Sequence, residues 1–230
     1  MQQHTSGHTL KAFDQDIERL RALISQMGGF AEHAIGEAMR CLVQRDNEGA
    51  QKVIADDKKL DALEVETERR AVQLIALRAP MAGDLRDVVA ALKISGVVER
   101  IGDYAKNIAK RVPLLEGATK IEPLSLLPEM ARISTGMVHD VLDAFVQRDA
   151  QVAVQVCERD DAVDDFYDSI FRTLLTFMME NPGNISQSTH LLFIAKNIER
   201  VGDHATNIAE MVYYAATGSH MADRPGKSPK

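Results

Sequence analysis

Two stretches of the chain, 100 residues apart, carry the same acidic and amide side chains. One reads ERIGDYAKNIAK and begins at Glu99, and the other reads ERVGDHATNIAE and begins at Glu199. On a helix each residue advances by roughly 100°, so a Glu-x-x-x-Asp-x-x-x-Asn row stands on one face. The two rows consist of Glu99, Asp103 and Asn107, and of Glu199, Asp203 and Asn207. Such a row has the chemistry to bind a cation or a basic partner.

Two further pairs of carboxylates have the same four-residue spacing, and each precedes one of these rows. They are Asp57 with Asp61, and Asp160 with Asp164. Like charges at this spacing repel by roughly 0.2–0.5 kcal/mol, so four pairs are a small but repeated cost that a cation could offset. Oxygen ligands suit Mg²⁺, Mn²⁺, Ca²⁺ and iron. Since the two rows of each half come from sequential helices, they could face one another and form a divalent-metal or iron site. The predicted metal ligands are Asp57, Asp61, Glu99, Asp103, Asp160, Asp164, Glu199 and Asp203.

Two simpler interpretations of these acidic rows stay open. The rows could form a solvated polar face, or they could pair with basic side chains nearby. Those basic side chains are Arg100, Arg200, Lys93, Lys106, Lys110 and Lys196. Asp161 and Asp165 leave the register of the third pair ambiguous. His204 stands where the first copy has Tyr104, which indicates a variable position rather than a ligand.

The elements that position these rows are long helices. Apolar residues at helical spacing, interrupted by turn residues, predict six of them. Their ranges are 9–45, 50–78, 82–113, 126–148, 150–180 and 187–216. Short turns force neighbouring helices to run antiparallel. The sequence therefore predicts an all-α fold of two tandem, pseudo-symmetric three-helix bundles, at 9–115 and 122–217, with a disordered tail at 218–230.

Composition narrows the class of function. The net charge of −7 over 230 residues argues against nucleic acid as a partner, and no uncharged run is long enough for direct insertion into a membrane. The chain has two cysteines, neither in a Cys-x-x-Cys pair. No nucleophile with a general base and no phosphate-binding glycine loop can be assembled, so we expect a non-enzyme without an organic cofactor. The N-terminal residues lack the apolar segment of a signal peptide, so we expect a cytoplasmic location. With no basic pocket evident, direct phosphate sensing is expected only if a cation is present.

The doubled Glu-Arg-x-Gly-Asp-x-x-x-Asn-Ile signature, together with Pro80, Asp84, Leu85 and Arg86, resembles the PhoU family. This resemblance covers about residues 9–217. It implies a homodimeric negative regulator of the phosphate-starvation response, cytoplasmic and peripheral to the inner membrane through its partners. Those partners would be the ATPase of the phosphate transporter and a sensor histidine kinase. Some family members bind metal clusters through Glu/Asp-x-x-x-Asp motifs, which fall on the acidic pairs above.

The resemblance then implies that six further residues contact partners or support the metal ligands. They are Arg100, Arg200, Asn107, Asn207, Asp84 and Arg86. The second half departs from the pattern, because no Asp-Leu-Arg run follows Pro182. Two mechanisms therefore stay open for the acidic rows. They could be a docking face for basic partners that needs no metal, or they could hold cations that create a docking face for phosphate or a partner. A scaffold bundle without a signalling role is a third possibility.

Overall fold

A computed structural model describes residues 5–116 and 122–221, with side chains from residue 13 onward and from residue 124 after the gap. Within those ranges the chain is all-α and contains no strand. Its helices are α1 (Thr5–Gln44), α2 (Asn47–Arg78), α3 (Ala82–Ala109), α4 (Leu127–Gln147), α5 (Ala150–Glu158), α6 (Asp160–Glu180) and α7 (Ile185–Thr217). Short 3₁₀ turns lie at Pro113–Leu115, Glu122–Ser125 and Pro182–Asn184. The prediction of two tandem three-helix bundles is confirmed.

One predicted helix, 150–180, is divided into α5 and α6. Two hydrogen bonds of the tighter three-residue type mark the division, from Arg159 N–H to the Val156 carbonyl and from Ala162 N–H to the Arg159 carbonyl. The Arg159 guanidinium also forms an ion pair with Asp140 on α4. Both segments pack against α7. Together they fill in the second bundle the place that α2 fills in the first.

A repeated turn explains the match between Gln44-Arg45-Asp46 and Gln147-Arg148-Asp149. Arg45 and Arg148 both adopt left-handed backbone conformations, with φ of 58° and 57°. The following aspartate caps the next helix. Asp46 accepts a hydrogen bond from Gly49 N–H, and Asp149 accepts from the N–H groups two and three residues ahead. The same three residues thus end one helix and start the next in both halves.

The two bundles pack on each other through equivalent helices. α1 contacts α4, and α3 contacts α7, which places a pseudo-twofold axis between the halves. One continuous core runs through both, with fully buried side chains such as Ile24, Ile101, Leu127 and Met137. The buried Asp87 forms ion pairs with Arg21 of α1 and with Arg148, at the end of α4. The predicted units 9–115 and 122–217 therefore share a core.

The end of α7 continues into ordered contacts. Gly218 adopts a left-handed conformation, with φ of 78°, and caps the helix. The His220 ring stacks on Tyr214 with a centroid separation of 5.0 Å, and Met221 packs against the core. The first four residues of the predicted disordered tail are thus placed, and residues 222–230 lie outside the described residues.

Candidate functional site

The two signature helices meet at the pseudo-twofold axis through equivalent residues. Tyr104 and His204 hold the same position of the two signatures, and their rings stack with centroids 5.4 Å apart. The tyrosine hydroxyl lies 2.9 Å from Nε2 of His204. Burial, followed by the charge of Arg100, lowers the pKa of His204. The interpretation of His204 as a variable position is therefore incomplete. The available signal was that both equivalent residues can form hydrogen bonds.

In the first repeat a lysine joins the two acidic rows. Lys106 donates hydrogen bonds to Asp57 at 2.5 Å and to Asp103 at 3.2 Å. The Asp57 side chain is only 6% exposed, so its charge needs a close partner. The hydrogen bond to Asp57 is the main cause of the raised pKa of Lys106. The rows of α2 and α3 do face one another, and an ammonium group lies between them.

The other end of the first-repeat row is an acidic cluster, formed by Asp61, Glu64, Glu99 and Asp103. Partial burial, followed by the charges of Asp103 and Glu64, raises the pKa of Glu99 to about 7. Burial, followed by the charges of Glu68 and Asp61, raises the pKa of Glu64 as well. These carboxylates repel one another across α2 and α3, and one proton or cation would relieve that repulsion.

In the second repeat, a lysine pairs with the carboxylate at the opposite end of the acidic row. Lys196 donates a hydrogen bond to Glu199 at 2.6 Å, and its ammonium lies 5.1 Å from the centroid of the Tyr167 ring. In the first repeat the position equivalent to Lys196 is Gly96. Thr206 replaces Lys106, and its hydroxyl donates to the Asp203 carbonyl. The halves therefore share a fold but distribute charge differently along their rows.

The glycine of each signature shows which aspartates are equivalent. A Cβ on Gly102 would overlap Leu60 and lie 3.8 Å from the Asp57 carboxylate. On Gly202 it would lie 3.4 Å from both Asp160 and Val163. Asp160 is buried, whereas Asp161 and Asp165 are exposed. The ambiguous register is settled, because Asp160 packs against its signature glycine as Asp57 does.

The predicted metal ligands lie along these rows without converging. Within the described ranges, no three His, Cys, Asp or Glu side chains are grouped closely enough to hold a metal ion. Lys106 lies between Asp57 and Asp103, and Lys196 holds Glu199. Asp61 is exposed and Asp164 is half-buried. As placed, these side chains do not converge on one point, and metal binding stays a prediction.

The residues predicted to contact partners fall into two places. Arg100, Arg200, Asn107 and Asn207 are exposed on α3 and α7, and the charges of both arginines act on Tyr104 and His204 at the axis. In the part of the chain that the structure describes, neither arginine forms an ion pair. Asp84 and Arg86 lie at the start of α3, and Arg86 lines the same groove between α3 and α7 as Arg100 and Asn207.

No described helix is long and apolar enough to cross a membrane.

Comparison with known proteins identifies a matching family model and several similar sequences. The PhoU domain family model matches residues 24–112 and 127–212, the two halves of the pseudo-symmetric structure. A phosphate-specific transport system accessory protein PhoU homolog of Zymomonas mobilis is 55% identical over 218 residues, covering 95% of this chain and 92% of the relative. The PhoU protein of Serratia marcescens is 36% identical, covering 98% and 91%.

Solved structures agree with the sequence relatives. The crystal structure of PhoU from Pseudomonas aeruginosa has a TM-score of 0.85 and 34% identity, covering 90% of this chain and all of the other. The phosphate transport system regulatory protein PhoU from Streptococcus pneumoniae also has a TM-score of 0.85, at 27% identity, covering 91% and 99%.

Proposed function

This chain belongs to the PhoU family, and we propose that it represses phosphate uptake and the phosphate-starvation response when phosphate is plentiful. It acts by contact with the ATPase of the phosphate transporter and with a sensor histidine kinase. We propose that it is a cytoplasmic homodimer, held at the inner membrane through these partners. The relatives support this role, since their names assign them to the phosphate-specific transport system.

The observation that carries the proposal is the exposed surface at the pseudo-twofold axis. There the doubled signature presents two arginines and two carboxamides, and Tyr104 and His204 hold the helices together beneath them. Guanidinium groups without an internal ion pair are suited to bidentate recognition of carboxylates. The acidic rows are weaker docking candidates, because lysines of the same chain neutralise part of each row.

A binding assay with the purified kinase domain and ATPase, each of the same organism, tests this surface. Arg100→Gln/Arg200→Gln is expected to weaken binding to at least one partner about tenfold, and the residual binding should depend less on salt. Arg19→Gln/Arg69→Gln removes two exposed cations of α1 and α2 and is the matched control. Unchanged affinity of the axis variant for both partners would contradict the docking surface.

We propose metal binding as a second candidate, with carboxylate-bound cations that create a phosphate or partner docking face. The cluster around Glu99 favours it, because carboxylates that repel one another across facing helices attract a hard cation. Asp61, Glu64 and Asp103 are its other members. Elemental analysis before and after chelation, beside Glu99→Ala/Glu199→Ala, tests it. Stoichiometric iron, zinc or manganese in the parent but not in the variant supports it, and a metal-free parent rejects it.

A further inference from the structure

A groove between α3 and α7 carries positive charge, contrary to the expectation of no basic pocket. Its volume is about 520 Å³, and Arg86, Lys93 and Arg100 line it along one side of α3. None of the three forms an ion pair with any residue that the structure describes. The Nε atom of Arg86 is buried and has no hydrogen-bond acceptor there. A protein with a net charge of −7 thus places three cations in one concavity, where the lining includes a single carboxylate, Glu210.

At the equivalent place across the pseudo-twofold axis, a basic side chain lies against an aromatic ring. There Arg111 lies over the Phe193 ring, with Cζ 4.2 Å from the ring centroid, and contacts Nδ1 of His190 at 3.2 Å. The positions equivalent to Phe193 and Arg111 on the side of the groove are Lys93 and Met211. These two exchanges give the groove between α3 and α7 a lysine and a methionine where the other side of the axis has an aromatic ring and an arginine.

The spacing of the cations indicates the length of a ligand. Arg86, Lys93 and Arg100 are seven residues apart, or about 10 Å per step along the helix. One small anion could contact one or two of them at most. A chain of linked phosphates could contact Lys93 and Arg100 together, because long side chains converge on a multivalent anion.

Aromatic side chains line the end of the groove near Arg86. Tyr214 and His220, stacked with an angle of 19° between their rings, line it. Val97 and Met211 contribute apolar surface along the same groove. Aromatic faces of this kind stack with a heterocyclic base, at about 1–3 kcal/mol per base. Glu210, the carboxylate lining the groove, can accept hydrogen bonds from sugar or base N–H and O–H groups.

We propose that this groove binds a nucleoside polyphosphate. Its phosphates contact Lys93 and Arg100, and its base lies against Tyr214 and His220. The volume is within the range of small-molecule sites, about 300–1,000 Å³. A free phosphate ion would use only part of this surface.

Isothermal titration of the full chain with ATP, inorganic triphosphate and adenosine, in EDTA, tests the proposal without any metal bridge. Saturable binding of ATP is expected, at least tenfold tighter than binding of triphosphate or adenosine. Lys93→Gln/Arg100→Gln should weaken ATP binding at least tenfold. Lys58→Gln/Arg69→Gln, with the same change in charge on α2, should leave it within twofold.

Lys93→Phe/Met211→Arg copies the side of the axis that carries Phe193 and Arg111, and it is expected to abolish ATP binding while the protein stays folded. Absence of ATP binding to the parent would overturn the proposal. Triphosphate binding as tightly as ATP would overturn the base contact, and adenosine binding as tightly would overturn the phosphate contact. Neither partner protein is present in the titration, so its failure leaves the proposed regulatory contacts untouched.

Discussion

The hydroxyl of Tyr104 lies 2.9 Å from Nε2 of His204, and these residues hold the same position in two repeats 100 residues apart. The amide nitrogen of Asn207 lies 3.3 Å from Nδ1 of the same imidazole. An amide nitrogen can only donate, so Nδ1 accepts and the Nε2–H group donates to the tyrosine oxygen. A neutral imidazole is required for this network, and burial lowers the pKa of His204 accordingly.

Loss of the hydrogen bond at the axis should destabilise the protein modestly. Tyr104→Phe keeps the ring but leaves the Nε2–H group of His204 without its acceptor. We expect the free energy of unfolding to fall by about 0.5–1.5 kcal/mol, measured by chemical denaturation at neutral pH. Tyr213→Phe is the control, because no hydrogen bond from its hydroxyl is observed within the described chain. Equal effects of the two variants would show that the axis contact contributes nothing specific.

Stability should also fall on the acidic side because of His204. Its pKa is lower in the folded protein than the 6.5 of the unfolded chain, so the unfolded state binds the proton more tightly. The contribution is therefore present above pH 6.5 and is lost as the pH falls through the folded pKa. His204→Asn should remove this part of the pH dependence in denaturation curves. A curve with an unchanged acidic limb would argue against a neutral imidazole at the axis.

Glu99 should act in the opposite direction. Its folded pKa of about 7 lies above the 4.5 of the unfolded chain, so the folded state holds the proton more tightly. That contribution is complete below pH 4.5 and is lost as the pH rises through about 7. In metal-free protein, Glu99→Gln should therefore be more stable than the parent at alkaline pH by about 1 kcal/mol, after allowance for solvent screening.

The corresponding variant of the second repeat is the control for Glu99. Glu199 pairs with Lys196, so Glu199→Gln should remove a favourable partner and give no alkaline gain. A gain of similar size in both variants would contradict the difference in charge between the two rows.

Removing the lysine between the rows should be costly. Lys106→Met leaves Asp57 buried without its ammonium partner, and we expect a loss of about 2–4 kcal/mol. Asp57→Asn/Lys106→Met removes both charges and should recover much of that loss in the same denaturation assay. If the double variant is less stable than Lys106→Met, then relief of an uncompensated charge is not the cause.

The repeat and the helical period were sufficient to predict the fold, because each half carries the same apolar stripe and the same Gln-Arg-Asp turn. The division at Arg159 was not predictable, because neither proline nor glycine marks it in the sequence. The sequence also indicated that the acidic rows face one another. It did not indicate where the lysines pair. Lys106 contacts one end of the first acidic row, whereas Lys196 contacts the other end of the second row. Both lysines are equally near their rows in sequence, so spacing alone does not reveal this difference.

The groove was missed for a related reason. Arg86, Lys93 and Arg100 are seven residues apart on one helix, and a pattern of isolated cations at that spacing is typical of a solvated face. The groove forms where α7 packs against α3, and Lys93 lies in it where the equivalent position across the axis is Phe193. The net charge of −7 is a sum over the whole chain and does not show that acidic and basic surfaces are separated.

The signature glycines should respond differently to the same substitution. A Cβ on Gly102 would overlap Leu60, so Gly102→Ala must displace a buried side chain, at a cost of about 1–3 kcal/mol. At Gly202 the nearest atoms lie at an ordinary contact distance of 3.4 Å, so the gain in helix propensity, about 1 kcal/mol, should dominate. Gly202→Ala is therefore expected to be neutral or stabilising in chemical denaturation. Equal destabilisation by both substitutions would mean that α6 approaches α7 as closely as α2 approaches α3.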